Sequence, residues 1–149
     1  MQLTSPVFSH TDFIPQAYTC DGANLHPPLT IVGVIPGAKS LVLIVDDPDA
    51  PGGLWTHWLL WNLDPQTTEI SATATPVGSI QGLNDFGDEG YGGPCPPSGI
   101  HHYRFTLYAL SKIFERELTP LAKRADVDRE ITGHILDQAQ LIGLYQRIL

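Results

Sequence analysis

Three short segments carry side chains that could bind a ligand or transfer protons. The first, Asp46-Asp47-Pro48-Asp49-Ala50-Pro51, places three carboxylates directly after an apolar run, and its two prolines restrict the turn. Either X-Pro bond could be cis, which would also fix the turn. On its own, such a segment is as often a solvated turn whose aspartates bond to nearby backbone N–H groups. Its interpretation therefore depends on the other two segments.

The second segment, Trp55-Thr56-His57-Trp58, contains a histidine within a strongly apolar run. Successive residues of a regular strand point to opposite faces, so His57 would share a face with Leu59 and Trp61. A polar ring on such a face is either a ligand-binding group or a core histidine held by one hydrogen bond. Both interpretations stay open from this segment alone.

The third segment is a loop rich in glycine and proline, from Tyr91 to Gly99, that leads into an apolar strand. Bare glycines allow backbone N–H groups to approach a ligand, and prolines stiffen the loop. Alternation along the strand turns His101 and Tyr103 toward the apolar interior and His102 toward the opposite face. The strand is therefore expected to bring two polar side chains to the interior.

Asp47 alternates in phase with Leu43 and Val45, so it is also expected at the end of an apolar strand face. We therefore expect Asp47, His57 and His101 to converge. A protonated imidazole would donate a charge-assisted hydrogen bond to an anion. A carboxylate beside a histidine would raise the histidine pKa by favouring the protonated form. Anion binding should then weaken as the pH rises.

Apolar and β-branched runs bounded by turn residues predict a mostly β fold. Four strands are expected at Leu29 to Val34, Ser40 to Asp46, Thr56 to Leu63 and His102 to Leu110, and a final strand at Gln140 to Ile148. The stretches Leu41 to Val45 and Trp58 to Trp61 are apolar on both faces. This pattern is typical of strands that are covered on both sides.

Two short helices are expected before the last strand. Thr119-Pro120 is typical of a helix start, and Val127, Ile131 and Ile135 recur at helical spacing. The sequence shows no internal repeat, low-complexity tract or linker. We therefore expect a single domain over residues 1–149.

The composition limits the classes of partner and compartment. With 16 acidic and 8 basic residues, the chain has a formal net charge of −8, which disfavours nucleic acid and anionic membranes as partners. No apolar run reaches the roughly 20 residues of a membrane span, and the N-terminus does not resemble a signal peptide, so a cytoplasmic protein is expected. Only Cys20 and Cys95 are present, and we expect two reduced thiols, although their pairing stays open.

Taken together, these motifs resemble the bacterial and archaeal branch of the phosphatidylethanolamine-binding protein family, which includes Raf kinase inhibitor-like proteins. The resemblance rests on DPDAP, the His-Trp pair after it, GYGGPCPP and the following G-x-H-x-Tyr, which occur in the family's order and approximate spacing. The segment Ile14 to Leu29 and the end of the chain around Tyr145 are also similar. The resemblance extends over nearly the whole chain.

This resemblance implies a two-sheet antiparallel β-sandwich with short C-terminal helices and a pocket that accepts phosphate, phosphoryl or carboxylate groups. The matched positions imply that the ligand-binding residues are Asp47, His57, Gly93, Pro94, His101 and Tyr103. Two residues depart from the family's pattern. His102 stands where relatives commonly have Arg, and His26 stands where bacterial relatives usually have Ser. The affinity for an anion therefore does not follow from the resemblance.

The resulting hypothesis is a non-catalytic binding or regulatory protein that forms a homodimer and needs no cofactor or metal, with a kinase or a protease as candidate partner. The first alternative is a metal-dependent or histidine-based hydrolase that uses the same pocket. The second is a vestigial pocket in a protein that acts through its surface. GxSxG, HExxH and P-loop motifs are absent from the sequence. Cys95 is the remaining candidate nucleophile, although a cysteine between prolines more often packs.

Overall fold

The computed structural model describes residues 1–148, in which two antiparallel sheets dominate. The strands are β1 (Gln2–Thr4), β2 (Leu29–Val32), β3 (Ser40–Asp47), β4 (Trp55–Leu63), β5 (Glu69–Ile70), β6 (Ile80–Gln81), β7 (His101–Leu110) and β8 (Ile135–Tyr145). The smaller sheet has the order β1-β2-β5, and the larger has the order β6-β4-β3-β7-β8. The mostly β, two-sheet fold expected from the sequence is therefore confirmed.

The larger sheet is covered on both faces. On one face, Leu43 and Leu60 belong to a buried cluster that also includes Ile31 of the smaller sheet. On the other face, Ile44 belongs to a second cluster with Val127 of the helix α1 (Arg124–Ile131). The expectation that the central strands are covered on both sides is confirmed. Polar groups can therefore reach the interior only near the ends of these strands.

The four internal strands lie where the sequence predicts them, and their ends differ by one or two residues. The last strand differs more, because β8 begins at Ile135 rather than at Gln140 and ends at Tyr145. It pairs with β7 along its length, from Ile135 opposite Leu110 to Tyr145 opposite His101. Because β8 pairs with a long neighbouring strand, it begins earlier than its own sequence pattern predicts.

Only one α-helix occurs in the described residues, where two were expected. The Thr119 carbonyl accepts the N–H of Ala122 in a turn (2.8 Å), so Thr119-Pro120 does not begin a helix. Helix α1 begins at Arg124, where the Asp126 carboxylate accepts the N–H of Lys123 (2.9 Å) and so caps the end. Within residues 1–148, no helix has the length and apolarity needed to cross a membrane.

Of the three apolar residues at helical spacing, two lie in a helix as predicted and one does not. Val127 and Ile131 are buried on one side of α1. Ile135 belongs to β8 instead and is 43% exposed. Gly133 has a φ of +84°, a left-handed conformation that ends the helix before Ile135.

Cys20 and Cys95 form a disulfide, so the expectation of two reduced thiols is wrong. The two residues are 75 positions apart in the sequence, and their Cα atoms lie 5.4 Å apart. This distance is within the usual range for a disulfide. The bond connects the segment before β2 to the glycine- and proline-rich loop before β7.

Replacement of both cysteines, Cys20→Ser with Cys95→Ser, should lower the free energy of unfolding by about 2–4 kcal/mol, because the cross-link limits the entropy of the unfolded chain. Urea unfolding of the oxidised protein and of the variant measures this difference. Dithiothreitol should destabilise the unmodified protein to the level of the variant and leave the variant unchanged. Equal stability of the oxidised protein and the variant would contradict this expectation.

Candidate ligand-binding pocket

Strand β4 carries a bulge at His57, which changes the face that this residue occupies. Val45 of β3 pairs with Trp58, whereas the next residue, Asp46, pairs with Thr56. His57 is therefore an extra residue without a partner on β3. A bulge redirects the side chain, and the face predicted for His57 from simple alternation is wrong. The ring lies instead on the same side of the sheet as Trp58, beside the pocket.

Asp47 and His101 form a buried pair at the end of the inner sheet face. The Asp47 Oδ2 atom lies 2.6 Å from Nδ1 of His101, and the two side chains are only 5% and 8% exposed. The other carboxylate oxygen of Asp47 accepts the N–H of Asp49 (2.8 Å). All peptide bonds of the described residues are trans, so neither Pro48 nor Pro51 uses the cis form. Asp47 and His101 lie on the face that their strand positions predict.

His57 is oriented by a backbone carbonyl. Its Nδ1 atom lies 2.6 Å from the carbonyl oxygen of Gly92, which can only accept a hydrogen bond, so Nδ1 carries the proton. Nε2 is left without a hydrogen-bond partner among the described residues. Burial lowers the pKa of His57 and outweighs the attraction of Asp47 for the protonated form. For His57, burial is thus a larger influence on the pKa than the neighbouring carboxylate.

Tyr103 places a hydroxyl group beside His57 and His101. Its hydroxyl is buried and has no hydrogen-bond partner in the described part of the chain. The ring centroid lies 5.2 Å from that of His57 and 6.5 Å from that of His101. Burial raises the pKa of Tyr103, and so do the negative charge of Asp47 and a weak polar contact with that carboxylate, which does not reach the geometry of a hydrogen bond, so the hydroxyl keeps its proton. An unpaired buried hydroxyl is uncommon in native proteins and needs an explanation.

Gly92, Gly93 and Pro94 support the loop that follows β6 and do not line the pocket, whereas Cys95, Pro96 and Pro97 of the same loop do. The N–H of Gly92 donates to the carbonyl of His57 (2.9 Å), and the N–H of Gly93 donates to Oδ1 of Asn24 (2.9 Å). A Cβ on Gly93 would lie only 2.3 Å from that Asn24 oxygen, so glycine is required there. Pro94 has no N–H to offer. The N–H groups of Gly92 and Gly93 are therefore engaged within the protein, and a ligand role for Gly93 and Pro94 stays a prediction.

These groups surround an open cavity of about 180 Å³. Four of the six residues inferred from the resemblance line it, whereas Gly93 and Pro94 do not. The complete lining consists of Asp47, Ala50, Pro51, Trp55, His57, Phe86, Cys95, Pro96, Pro97, His101 and Tyr103. Most of the walls are therefore apolar, and the polar atoms lie together at one end of the sheet.

Phe86 is the lining residue that the sequence did not reveal. It lies 29 positions after His57 and packs edge-on against that ring, with centroids 5.4 Å apart. The preceding residue anchors it, because the Asp85 carboxylate accepts the N–H of Thr56 (2.7 Å). The Asn-Asp pair at 84–85 is a turn signal, but nothing in the local sequence indicates that this turn contacts β4.

The two residues that depart from the family's pattern lie outside the pocket lining. His102 is exposed, and both its Nδ1 atom (2.6 Å) and its backbone N–H (2.8 Å) contact Oδ2 of Asp49. His102 thus fixes the position of the turn that contains Asp49. His26 stacks on Trp58 with ring centroids 4.7 Å apart, and burial lowers the pKa of His26. Neither ring touches the cavity.

The arrangement offers one hydroxyl donor, two imidazole Nε2 atoms and one carboxylate at a single cavity. The described residues contain no group of three His, Cys, Asp or Glu side chains placed to hold a metal ion. Cys95 is bonded to Cys20, so the lining of the oxidised protein contains no thiolate nucleophile. The geometry is suited to hydrogen bonding with a small polar group.

Phe86→Ala should raise the pKa of His57 toward its ordinary value, because the substitution exposes the ring whose burial lowers that pKa. Titration of the histidine ring protons by NMR measures this change. Phe13→Ala is a matched control, since Phe13 is 49% exposed against 47% for Phe86 and does not line the cavity. The same change in both variants, or in neither, would contradict a shielding role for Phe86.

Comparisons with known proteins agree with this fold. The family model described as phosphatidylethanolamine-binding protein matches residues 4–146. A UPF0098 protein of Methanothermobacter thermautotrophicus is 49% identical, with 99% of each chain covered. A second one, from Pyrococcus horikoshii, is 47% identical over 96% of this chain and 75% of its own.

Two crystal structures show the same architecture. A phosphatidylethanolamine-binding protein homologue from Chlamydia trachomatis superposes with a TM-score of 0.93 and 39% identity, over 99% of this chain and 97% of that chain. Escherichia coli YbcL, described as a new member of the mammalian family, superposes with a TM-score of 0.91 and 32% identity, over 99% of this chain and 98% of its own. This chain therefore belongs to the phosphatidylethanolamine-binding protein family.

Proposed function

We propose that the protein is a non-catalytic binding or regulatory protein whose pocket accepts one small anionic group, such as a phosphate, a phosphoryl group or a carboxylate. The observation that carries this proposal is the buried hydroxyl of Tyr103, which has no partner within the described residues. A buried donor without an acceptor is destabilising. A ligand oxygen in the cavity would supply the missing acceptor.

Charge complementarity sets a condition on this binding. The cavity lining contains the carboxylate of Asp47 and no lysine or arginine. An anion must therefore meet a protonated histidine, or bring a proton of its own to share with an Nε2 atom. His57 and His101 both have Nδ1 engaged, by Gly92 and by Asp47 respectively, so Nε2 is the atom that would contact the anion. Modest affinity is expected.

The size of the cavity also favours a small group. Pockets for drug-sized ligands usually measure about 300–1,000 Å³, whereas this cavity measures about 180 Å³. It would hold the anionic end of a larger molecule, and the rest of that molecule would lie outside. A kinase or protease partner and a homodimer stay predictions that rest on the resemblance to the family.

Tyr103→Phe tests the proposal most specifically. It should weaken binding of O-phosphoethanolamine by roughly tenfold or more, because the lost bond joins a hydroxyl to a charged group. The stability of the ligand-free protein should be unchanged or higher, since the hydroxyl has no partner to lose. Calorimetric titration and urea unfolding measure the two quantities.

The matched control for this experiment is Tyr108→Phe, which removes a hydroxyl from the same strand but on the opposite face of the sheet. Its binding of O-phosphoethanolamine should equal that of the unmodified protein. Unchanged binding in Tyr103→Phe, or a loss of stability without a loss of binding, would show that the hydroxyl has no role in ligand recognition.

Anion binding should strengthen as the pH falls. The pKa of His57 lies below its ordinary value of about 6.5, so the ring is neutral near pH 7 and gains a proton only below that value. Since a bound anion favours the imidazolium, acetate affinity should rise about threefold or more between about pH 7.5 and about pH 5.5. Acetate is the suitable probe because it stays mostly ionised over this range, whereas phosphate changes its charge.

The variant His57→Gln provides the control for the pH experiment. Glutamine keeps a side-chain donor but does not titrate, so the pH dependence of acetate affinity should become flatter. Without acetate, the lowered pKa of His57 should make the folded protein lose stability as the pH falls below about 6.5, because the unfolded chain binds that proton more tightly. An acetate affinity independent of pH in the unmodified protein would contradict the proposed role of His57.

A further inference from the structure

We propose that the Cys20–Cys95 disulfide is a redox switch that holds one wall of the pocket closed, so that reduction of this bond weakens ligand binding. The inference rests on the proposed function for its ligand, while its structural part can be tested without one. It follows from the position of the disulfide, from the other contacts of the same loop and from the access that a reductant has to the bond.

The disulfide lies directly at the cavity. Cys95 lines the cavity together with Pro96 and Pro97, which follow it in the chain. These three residues line the same cavity as Tyr103 and His101. A change in the position of Cys95 would therefore change the shape of the site without moving the strands that carry its polar groups.

Before Cys95, the loop has several non-covalent attachments to the segment that contains Cys20. The Tyr91 hydroxyl donates to the carbonyl of Tyr18 (2.6 Å), and the Pro94 carbonyl accepts the N–H of Cys20 (3.1 Å). The bond from Gly93 to Asn24 adds a third attachment (2.9 Å). This part of the loop should keep its position when the disulfide is broken.

After Cys95, the loop has no such support. Within the described chain, residues 96–100 make no hydrogen bond to other residues, and the next attachment is the pair formed by His101 and Asp47 (2.6 Å). Pro96 and Pro97 lack the N–H groups that could form such bonds. Pro96 is buried and Pro97 is exposed, so packing of Pro96 and the disulfide are what hold this wall before β7.

A reductant can reach this bond. Cys20 and Cys95 are both partly exposed, and Cys95 lies at an open cavity. An external dithiol would attack one sulfur atom, form a mixed disulfide and then close to its own disulfide. The net step breaks the bond between the Cys20 and Cys95 sulfur atoms. The dithiol supplies two electrons and two protons, which leave two thiols on the protein.

Loss of the disulfide should increase the mobility of the wall and leave the positions of the polar side chains nearly unchanged. Asp47 and Tyr103 are paired within the sheet, and the His57 ring is held by the carbonyl of Gly92, which lies before Cys95 in the supported part of the loop. The wall from Cys95 to Pro97 would gain freedom and admit water to the cavity. Because binding to a mobile site must also order that site, the anion affinity of the reduced protein should be lower.

The experiment compares the oxidised protein, the protein in dithiothreitol, and the double variant Cys20→Ser with Cys95→Ser. Dithiothreitol is preferred to a carboxylated phosphine, because carboxylates could occupy the pocket. Reduction should shift and broaden the NMR signals of Pro96 and Pro97 and shift those of His101 and Tyr103, while the β3 and β4 amides stay protected from exchange. Affinity for inorganic phosphate should fall about tenfold, and the double variant should match the reduced protein in either buffer.

The variant Leu118→Ala separates this effect from a general loss of stability. Leu118 is buried in the cluster on the opposite face of the larger sheet, so its truncation destabilises the protein without touching the cavity. Its phosphate affinity should equal that of the oxidised protein. An equal loss of affinity in Leu118→Ala would overturn the switch, because stability alone would then explain the effect of reduction.

The remaining outcomes separate the switch from the proposed function. If reduction leaves the signals of Pro96, Pro97, His101 and Tyr103 unchanged, the switch is wrong whatever the protein binds. If these signals change but affinity for phosphate does not, the wall moves without controlling binding, and the switch is again wrong. If the wall is released but the oxidised protein binds neither phosphate nor acetate, the redox-dependent wall stands and the proposed anion function fails.

Discussion

The burial of the larger sheet on both faces is the constraint on which the site depends. Since one face packs on the smaller sheet and the other on α1 and the segment before it, apolar side chains occupy nearly all of β3 and β4. Polar groups are tolerated only where these strands end. The bulge at His57 turns the imidazole to the side of Asp47 and Tyr103. One local irregularity thus completes the polar cluster, which consists of Asp47, His57, His101 and Tyr103.

The same burial determines the protonation states of the side chains in this polar cluster. Removal from water lowers the pKa of His57 and raises that of Tyr103, so near neutral pH the ring is uncharged and the hydroxyl keeps its proton. A buried hydroxyl without a partner costs about 1–3 kcal/mol. The rest of the fold must offset this cost in the ligand-free protein, and a bound acceptor would remove it. Functional sites often contain groups that lower the stability of the folded protein.

The parts of the site on regular strands could be predicted from the sequence. Alternation places Asp47, His101 and Tyr103 correctly because β3 and β7 pair without irregularity next to these residues. It fails for His57, because a bulge depends on the register with the neighbouring strand, which one strand's sequence does not show. Despite this error, four of the six residues inferred from the family's motif order line one cavity, since motif order does not depend on alternation.

Contacts between distant parts of the chain could not be predicted. The N–H of Gly93 is engaged by Asn24, 69 positions away, and the partner of Cys95 is 75 positions away. No local pattern encodes either contact. Thr119-Pro120 matches a helix start, yet its residues form a turn and the helix begins at Arg124, because local capping signals also occur in turns.

The central claim is that the cluster around Tyr103 receives one small anionic group. A two-dimensional NMR titration of the metal-free, oxidised protein with O-phosphoethanolamine, repeated below and above the ordinary pKa of histidine, tests this claim most directly. We expect saturable shifts confined to Asp47, His57, His101, Tyr103 and their neighbours, and tighter binding at the lower pH. The absence of shifts at millimolar ligand, or shifts spread over the surface without saturation, would contradict the claim.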